Sequence, residues 1–201
     1  MFRWLSLAIL LGAVGTSSYY RRRGRLGNEA IARTREGLPL LAIRLSGAVL
    51  LVFPIIGYVA IPHSMTWASV ALTAWCRWLG VIAGVSTIPV MAWVLRSLGP
   101  NVSETVLTKC NHHLVTTGPY RWVRHPLYAT GIALFLAISL IDASWFVLLL
   151  AVLVVAILQS LVVPLEERAL MEKFGDDYRA YVRNTGRFLP RMLRVHAQFS
   201  R

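Results

Sequence analysis

Five apolar runs make up most of this chain, and what lies between them is too little to build a water-soluble core. The runs cover residues 2–20, 38–62, 67–95, 127–141 and 145–165. Of 201 residues 56% are apolar and 15% charged, outside the usual range for a soluble domain. The expected fold is all-α: a polytopic membrane helical bundle of about five transmembrane helices with a C-terminal cytosolic helical tail. Residues 1–95 form the first three helices, and residues 96–201 hold a cytosolic loop, a helical hairpin and the tail.

Charge sets the orientation. Residues 20–37 carry six Arg, 96–126 four Lys or Arg and 166–201 eight, whereas the turns at 62–66 and 142–144 carry none. The positive-inside rule then places the N-terminus outside and the C-terminus in the cytosol. The same distribution accounts for the net charge of +12 without nucleic acid, because the basic residues border apolar spans. A cleaved signal carries its charge before the apolar stretch, but Arg21, Arg22, Arg23 and Arg25 follow the first run, which is therefore read as an anchor. Arg44 can snorkel to its own side.

The third run exceeds a bilayer core of about 30 Å and should tilt or project. Gly80 and Gly84, at GxxxG spacing, allow close helix packing, and Pro89 is expected to kink the inner end. Arg77, inside this run, needs a partner, a wet cavity or the outer interface, with substrate binding as the alternative. Asp142-Ala143-Ser144 reads as a tight turn with an N-cap for the fifth run. Cys76 and Cys110 fall in a span and a cytosolic loop, so neither a disulfide nor, without Cys/His ligand spacing, a metal site is expected.

Polar chemistry gathers in two places. The string 112–128, HHLVTTGPYRWVRHPLY, turns at Gly118-Pro119 and starts the fourth helix at Pro126. Arg124 and His125 then sit at a helix N-terminus beside unsatisfied N–H groups, where an anion is the expected ligand. Glu166 and Glu167 leave the fifth run at the same interface, where adjacent acids call for a cation. Together these describe a pocket for a zwitterionic, cationic cofactor such as S-adenosylmethionine. The residues alone leave a plainer reading open: Arg124 as a topology signal and Glu166-Glu167-Arg168 as a solvated helix continuation.

The 112–128 string, followed after an apolar hairpin by EERALMEKFGDDYRAYVRNTGRFLP, resembles the isoprenylcysteine carboxyl methyltransferase family and its phospholipid methyltransferase relatives. The resemblance covers roughly residues 110–190. It implies an S-adenosylmethionine-dependent methyltransferase whose core is residues 96–201, acting at the cytosolic face. The acceptor would be lipophilic: the carboxylate of a prenylcysteine-like molecule or the amine of a lipid entering from the bilayer. His112, Leu114 and Val115 would lie around the adenosine, with Gly118 and Tyr120 shaping its turn. Arg124, His125 and Tyr128 match an RHPxY signature at the cofactor's carboxylate, and Glu166 and Glu167 match paired acids at its amino end. Phe174-Gly175, Tyr178, Tyr181 and Arg187 match a stretch that folds back as a lid over the substrate, although the two tyrosines also suit an interface anchor and Arg187 a phospholipid contact. His113 is read as a solvent-facing neighbour of His112. The chain departs from the pattern at Thr130, where a glycine is common, and in the apolar stretch 161–165, where carboxyl methyltransferases tend to be basic.

Methyl transfer from a sulfonium is an in-line displacement that needs alignment and exclusion of water, not a metal or a covalent nucleophile. Arg124 and Glu167 are the residues expected to touch the acceptor as well as the cofactor. Two rivals remain: an NADPH-dependent membrane sterol or enone reductase with a similar C-terminal region, and a non-enzymatic membrane partner protein.

Overall fold

The structure, a computed structural model, describes residues 1–25, 38–99 and 114–191. Its helices are α1 (Phe2–Arg25), α2 (Leu38–Ala60), α3 (Ala74–Leu98), α4 (Pro126–Asp142), α5 (Trp145–Ile157) and α6 (Val163–Asn184). A π-helical turn, Leu158–Val162, joins α5 to α6, and 3-10 turns occupy Pro62–Ala68 and Gly118–Arg121. Cys110, His112 and His113 lie outside the described residues, as does the side chain of Arg44.

By length and composition, Ala74–Leu98 and the helical stretch Trp145–Asn184 are sufficient to cross a membrane, while Leu45–Ala60 and Pro126–Asp142 are shorter apolar helices. Many large apolar side chains face outward, among them Leu79, Ile82 and Val85 on α3 and Leu148, Leu149, Val152 and Leu153 on α5. Such faces are unfavourable in water and suited to lipid.

The third apolar run does not form one helix. Residues 62–68 coil as a 3-10 segment, after which Ser69 pairs with Ser144 and the Val70 N–H donates to the Ala143 carbonyl at 2.7 Å, so that α3 starts only at Ala74. Backbone pairing with the α4–α5 turn replaces the first helical turns. From there α3 runs unbroken through Pro89 to Leu98. The fifth run also departs from expectation, because helix continues past its apolar part into α6, kinks at Gly175 and ends at Asn184. Ala143, in the left-handed region at φ 50°, reverses the chain, and the Ser144 hydroxyl caps α5 by accepting from the Val147 N–H at 3.4 Å.

Gly80 and Gly84 form the packing face foreseen for them. A Cβ at Gly80 would lie 3.0 Å from the Ala137 carbonyl oxygen and from the Ile141 nitrogen of α4, and one at Gly84 would lie 3.3 Å from Ile9 of α1. Ile9, Leu10, Val81, Met91, Leu134, Ile138 and Ile141 fill the core between these three helices. Gly80→Val should force α3 off α4 and cost about 1–3 kcal/mol. Thermal unfolding in detergent should show a clear drop in Tm for it and almost none for Gly15→Val, where the added side chain meets open space.

Arg77 finds protein partners: Nε donates to the Ile141 carbonyl at 2.8 Å, Nη2 donates to the Tyr58 hydroxyl at 3.3 Å, and the guanidinium stands 4.0 Å from the centre of the Phe2 ring.

Candidate functional site

The helical hairpin brings the two polar clusters together. Counting from the turn at Ala143, His125 and Tyr128 lie near the start of α4, while the long α5–α6 helix runs back beside it far enough to carry Glu166 and Glu167 to the same level. Tyr128 donates to Glu166 Oε1 at 2.6 Å. The His125 ring bridges the acids, Nδ1 lying 3.6 Å from Glu166 Oε2 and Nε2 3.3 Å from Glu167 Oε1. Arg124 Nε donates to Glu167 Oε1 at 3.1 Å, and Arg187 Nη2 donates to Glu167 Oε2 at 2.8 Å.

This corrects the expectation of two separate poles. The cation and anion clusters meet directly, because a carboxylate at this depth is better stabilised by a contact guanidinium than by waiting for a ligand. The Arg124 and His125 N–H groups, expected to be free for an anion, donate instead to the Gly186 and Arg187 carbonyls at 2.8 and 3.0 Å. Arg124 Nη1 donates further to the Val182 and Thr185 carbonyls at 3.2 and 2.5 Å, closing the C-terminal end of α6.

The segment after Leu165 folds back over the loop. Gly175, at φ 52°, breaks α6, and beyond it Tyr181 donates to the Tyr120 carbonyl at 2.6 Å while Val123 forms a parallel bridge with Gly186. Tyr178 is 1% exposed and its hydroxyl has no hydrogen-bond partner among the described residues, so it faces the protein interior and not a lipid interface. Leu114 and Val115 are half-buried ahead of the turn at Gly118, whose φ of 61° and closeness to the Ser97 hydroxyl, 2.6 Å from a would-be Cβ, exclude a side chain. Thr130, in the place where the pattern favours glycine, is buried and donates to the Pro126 carbonyl.

Three groups were not singled out from the sequence: Gly186, Thr185 and Val182. The available signal was the Thr185-Gly186 pair directly after a helix, a usual chain-reversal marker.

Burial raises the Glu167 carboxyl, but the hydrogen bonds from His125 and Arg187 and the charges of Arg124 and Arg187 outweigh it and hold the group at about 2, below its ordinary 4.5. A depressed carboxylate stabilises fully above pH 4.5 and loses that contribution as pH falls through about 2. Thermal midpoints measured from pH 6 to pH 2 should therefore fall toward the acid end, and Glu167→Gln should remove that part of the fall. Burial, followed by neighbouring charge from Tyr181 and Glu166, pushes Tyr120 upward; burial and the charge of Glu167 do the same for Tyr178. Burial raises Tyr181 to about 12, with Arg124 and Thr185 opposing. All three phenols remain protonated donors at neutral pH.

Comparison with known proteins bears on the fold and the family. The solved structure of the eukaryotic intramembrane Ras methyltransferase, isoprenylcysteine carboxyl methyltransferase, shares the fold with a TM-score of 0.53 at 19% identity, over 80% of this chain and 54% of that one. Among curated proteins, the uncharacterized protein YpbQ of Bacillus subtilis is 33% identical over 96 residues, 47% of this chain and 57% of the relative. The cobalt-zinc-cadmium resistance protein CzcN of Cupriavidus metallidurans is 34% identical over 82 residues, 41% of this chain and 38% of the relative. The chain thus spans about half or less of the length of these curated relatives. The phospholipid methyltransferase family model matches residues 75–177, from the start of α3 through the acid pair, and on that match over half its length the chain belongs to the phospholipid methyltransferase family.

Proposed function

We propose that the chain is an integral membrane S-adenosylmethionine-dependent methyltransferase acting on a lipophilic acceptor, the carboxylate of a prenylcysteine-like molecule or the amine of a lipid, at the cytosolic face. The observation that carries this reading is the half-enclosed cluster in which Glu166 and Glu167 meet His125, Tyr128, Arg124 and Arg187. Membership of the family supports it.

The residues present fit such a cofactor. Two carboxylates and two guanidinium groups in one cluster offer both signs of charge to a zwitterion, and the buried, unpartnered Tyr178 hydroxyl supplies a further polar group. Glu166 and Glu167 would hold the amino end, with His125 and Tyr128 forming the neighbouring wall. Leu114, Val115, Gly118 and Tyr120 would line the adenosine, together with His112, which lies outside the described residues. When bound, the cofactor supplies an activated methyl group.

The protein's own part is alignment and exclusion of water. Tyr178 and Tyr181 of α6 and Arg187 just beyond it close the site and are assigned to the substrate side. Glu167 is placed against both cofactor and acceptor. Arg124 is a positioning residue in this scheme, since Nε and Nη1 already engage Glu167 and the α6 carbonyls. A carboxyl held at about 2 is a weak base, which leaves Glu166 or an interfacial water to take the proton of an amine acceptor. The division into residues 1–95 and 96–201, the five spans and the outside N-terminus belong to the same proposal.

Calorimetric titration of the detergent-solubilised protein should detect S-adenosylhomocysteine and not NADPH. Glu166→Gln/Glu167→Gln should weaken that binding at least tenfold. Binding of NADPH alone would overturn the proposal in favour of a reductase, and silence toward both by folded protein would favour a non-enzymatic partner.

A further inference from the structure

At the opposite end of α4, about 25 Å from the acid pair, the bundle encloses a second polar site. A cavity of about 160 Å³ is lined by Tyr58, Thr66, Ser69, Arg77, Asp142 and Ser144, among others. Asp142 is only 4% exposed, and neither of its carboxylate oxygens accepts a well-formed hydrogen bond among the described residues: the Ser6 hydroxyl faces it but donates to the Arg3 carbonyl at 3.0 Å. A buried carboxylate in that condition is costly and points to a donor that completes it.

Arg77 is the nearby cation, yet its Nε and Nη2 are engaged by the Ile141 carbonyl and the Tyr58 hydroxyl, and its guanidinium covers the Phe2 ring. The acid therefore lacks a contact ion pair although a guanidinium lines the same cavity. No group of three or more His, Cys, Asp or Glu able to hold a metal ion occurs among the described residues. Beside the lining residues Thr66 and Ser144, Trp67 packs against Trp145 and Phe146 with centroids 5.6 and 5.1 Å apart, as in an aromatic belt at a membrane–water interface.

We propose that this cavity is a binding site for a primary ammonium group, with Asp142 as its counter-ion and acceptor. The volume holds several waters and is enough for an alkylammonium. Primary ammonium offers the N–H donors that the bare carboxylate needs, whereas a quaternary ammonium offers none. A free amine and the head group of an aminolipid share this chemistry.

Two measurements on the full chain test it and separate the sources. In detergent, ethanolammonium chloride should raise Tm by about 4 °C at ten times its dissociation constant, with choline chloride and sodium chloride at equal ionic strength without effect. By native mass spectrometry, phosphatidylethanolamine should be retained in preference to phosphatidylcholine if the lipid is the occupant. Either selective effect, abolished by Asp142→Asn, supports the site and identifies its source. A wild-type protein indifferent to both primary amines, which marks a merely water-filled cavity, overturns the proposal without reference to any variant. So does selectivity that persists in Asp142→Asn.

Discussion

Glu167→Ala should lower stability by about 3 kcal/mol and reduce S-adenosylhomocysteine binding by more than tenfold. The carboxylate joins four elements: Arg124 of the loop, His125 at the start of α4, Arg187 beyond α6, and α6 itself. Removing it leaves two guanidinium groups facing each other without their anion, and the Arg124 side chain is only 11% exposed. The cost is therefore an uncompensated buried charge added to the lost hydrogen bonds. Asp176→Asn is the control, since the Arg179–Asp176 pair on the same helix is solvent-exposed and its loss should stay within about 0.5 kcal/mol. Thermal unfolding of the two variants should separate them by several degrees. Equal midpoints would mean that the Glu167 cluster does not hold α6 in place.

What the sequence disclosed about this site follows from helical arithmetic. The lengths of the fourth and fifth apolar runs, with a turn at Asp142-Ala143-Ser144, suffice to bring His125 and Tyr128 level with Glu166 and Glu167, and the structure places them within hydrogen-bond reach. Gly80 and Gly84 announced a close helix contact in the same direct way. Hydropathy failed where backbone pairing decided the outcome. Residues 67–73 are as apolar as a helix start, yet Val70 hydrogen-bonds to the α4–α5 turn instead. Hydropathy also could not show that the α5 helix continues through a π-turn into a polar α6, since its signal ends with the apolar side chains. The main-chain partners of Arg124 were hidden for a related reason. Its partners include the Val182 and Thr185 carbonyls, and main-chain acceptors leave no mark on side-chain composition. Arg77 was legible only as a residue in need of a partner; that it would take Ile141 and Tyr58 and leave Asp142 bare depends on three helices meeting at one end.

Gly186→Ala should open the site without disturbing the bundle. Its N–H donates to the Trp122 carbonyl at 3.3 Å and its carbonyl accepts from the Arg124 N–H at 2.8 Å, while the next carbonyl, of Arg187, accepts from His125. These three bonds dock the chain after α6 onto the start of α4 and hold Arg187 against Glu167. A Cβ at residue 186 would overlap the Leu189 carbonyl oxygen and lie 3.0 Å from the Arg191 nitrogen, so even alanine must displace segment 186–191. Overpacking against backbone has no side chain to move aside, and a cost of about 2 kcal/mol is expected. Because the strain falls on the docked segment, it should appear as local opening rather than global unfolding. Hydrogen exchange should report amides of Arg124, His125 and Gly186 exchanging more than tenfold faster, with those of the α3–α4 contact unchanged. Ligand affinity should fall in parallel, since Arg187 leaves with the segment and releases Glu167. Gly131→Ala, whose added methyl meets open space on α4, should change neither. Unaltered exchange at Arg124 and His125 in Gly186→Ala would show that the side-chain cluster alone, and not this backbone docking, closes the site.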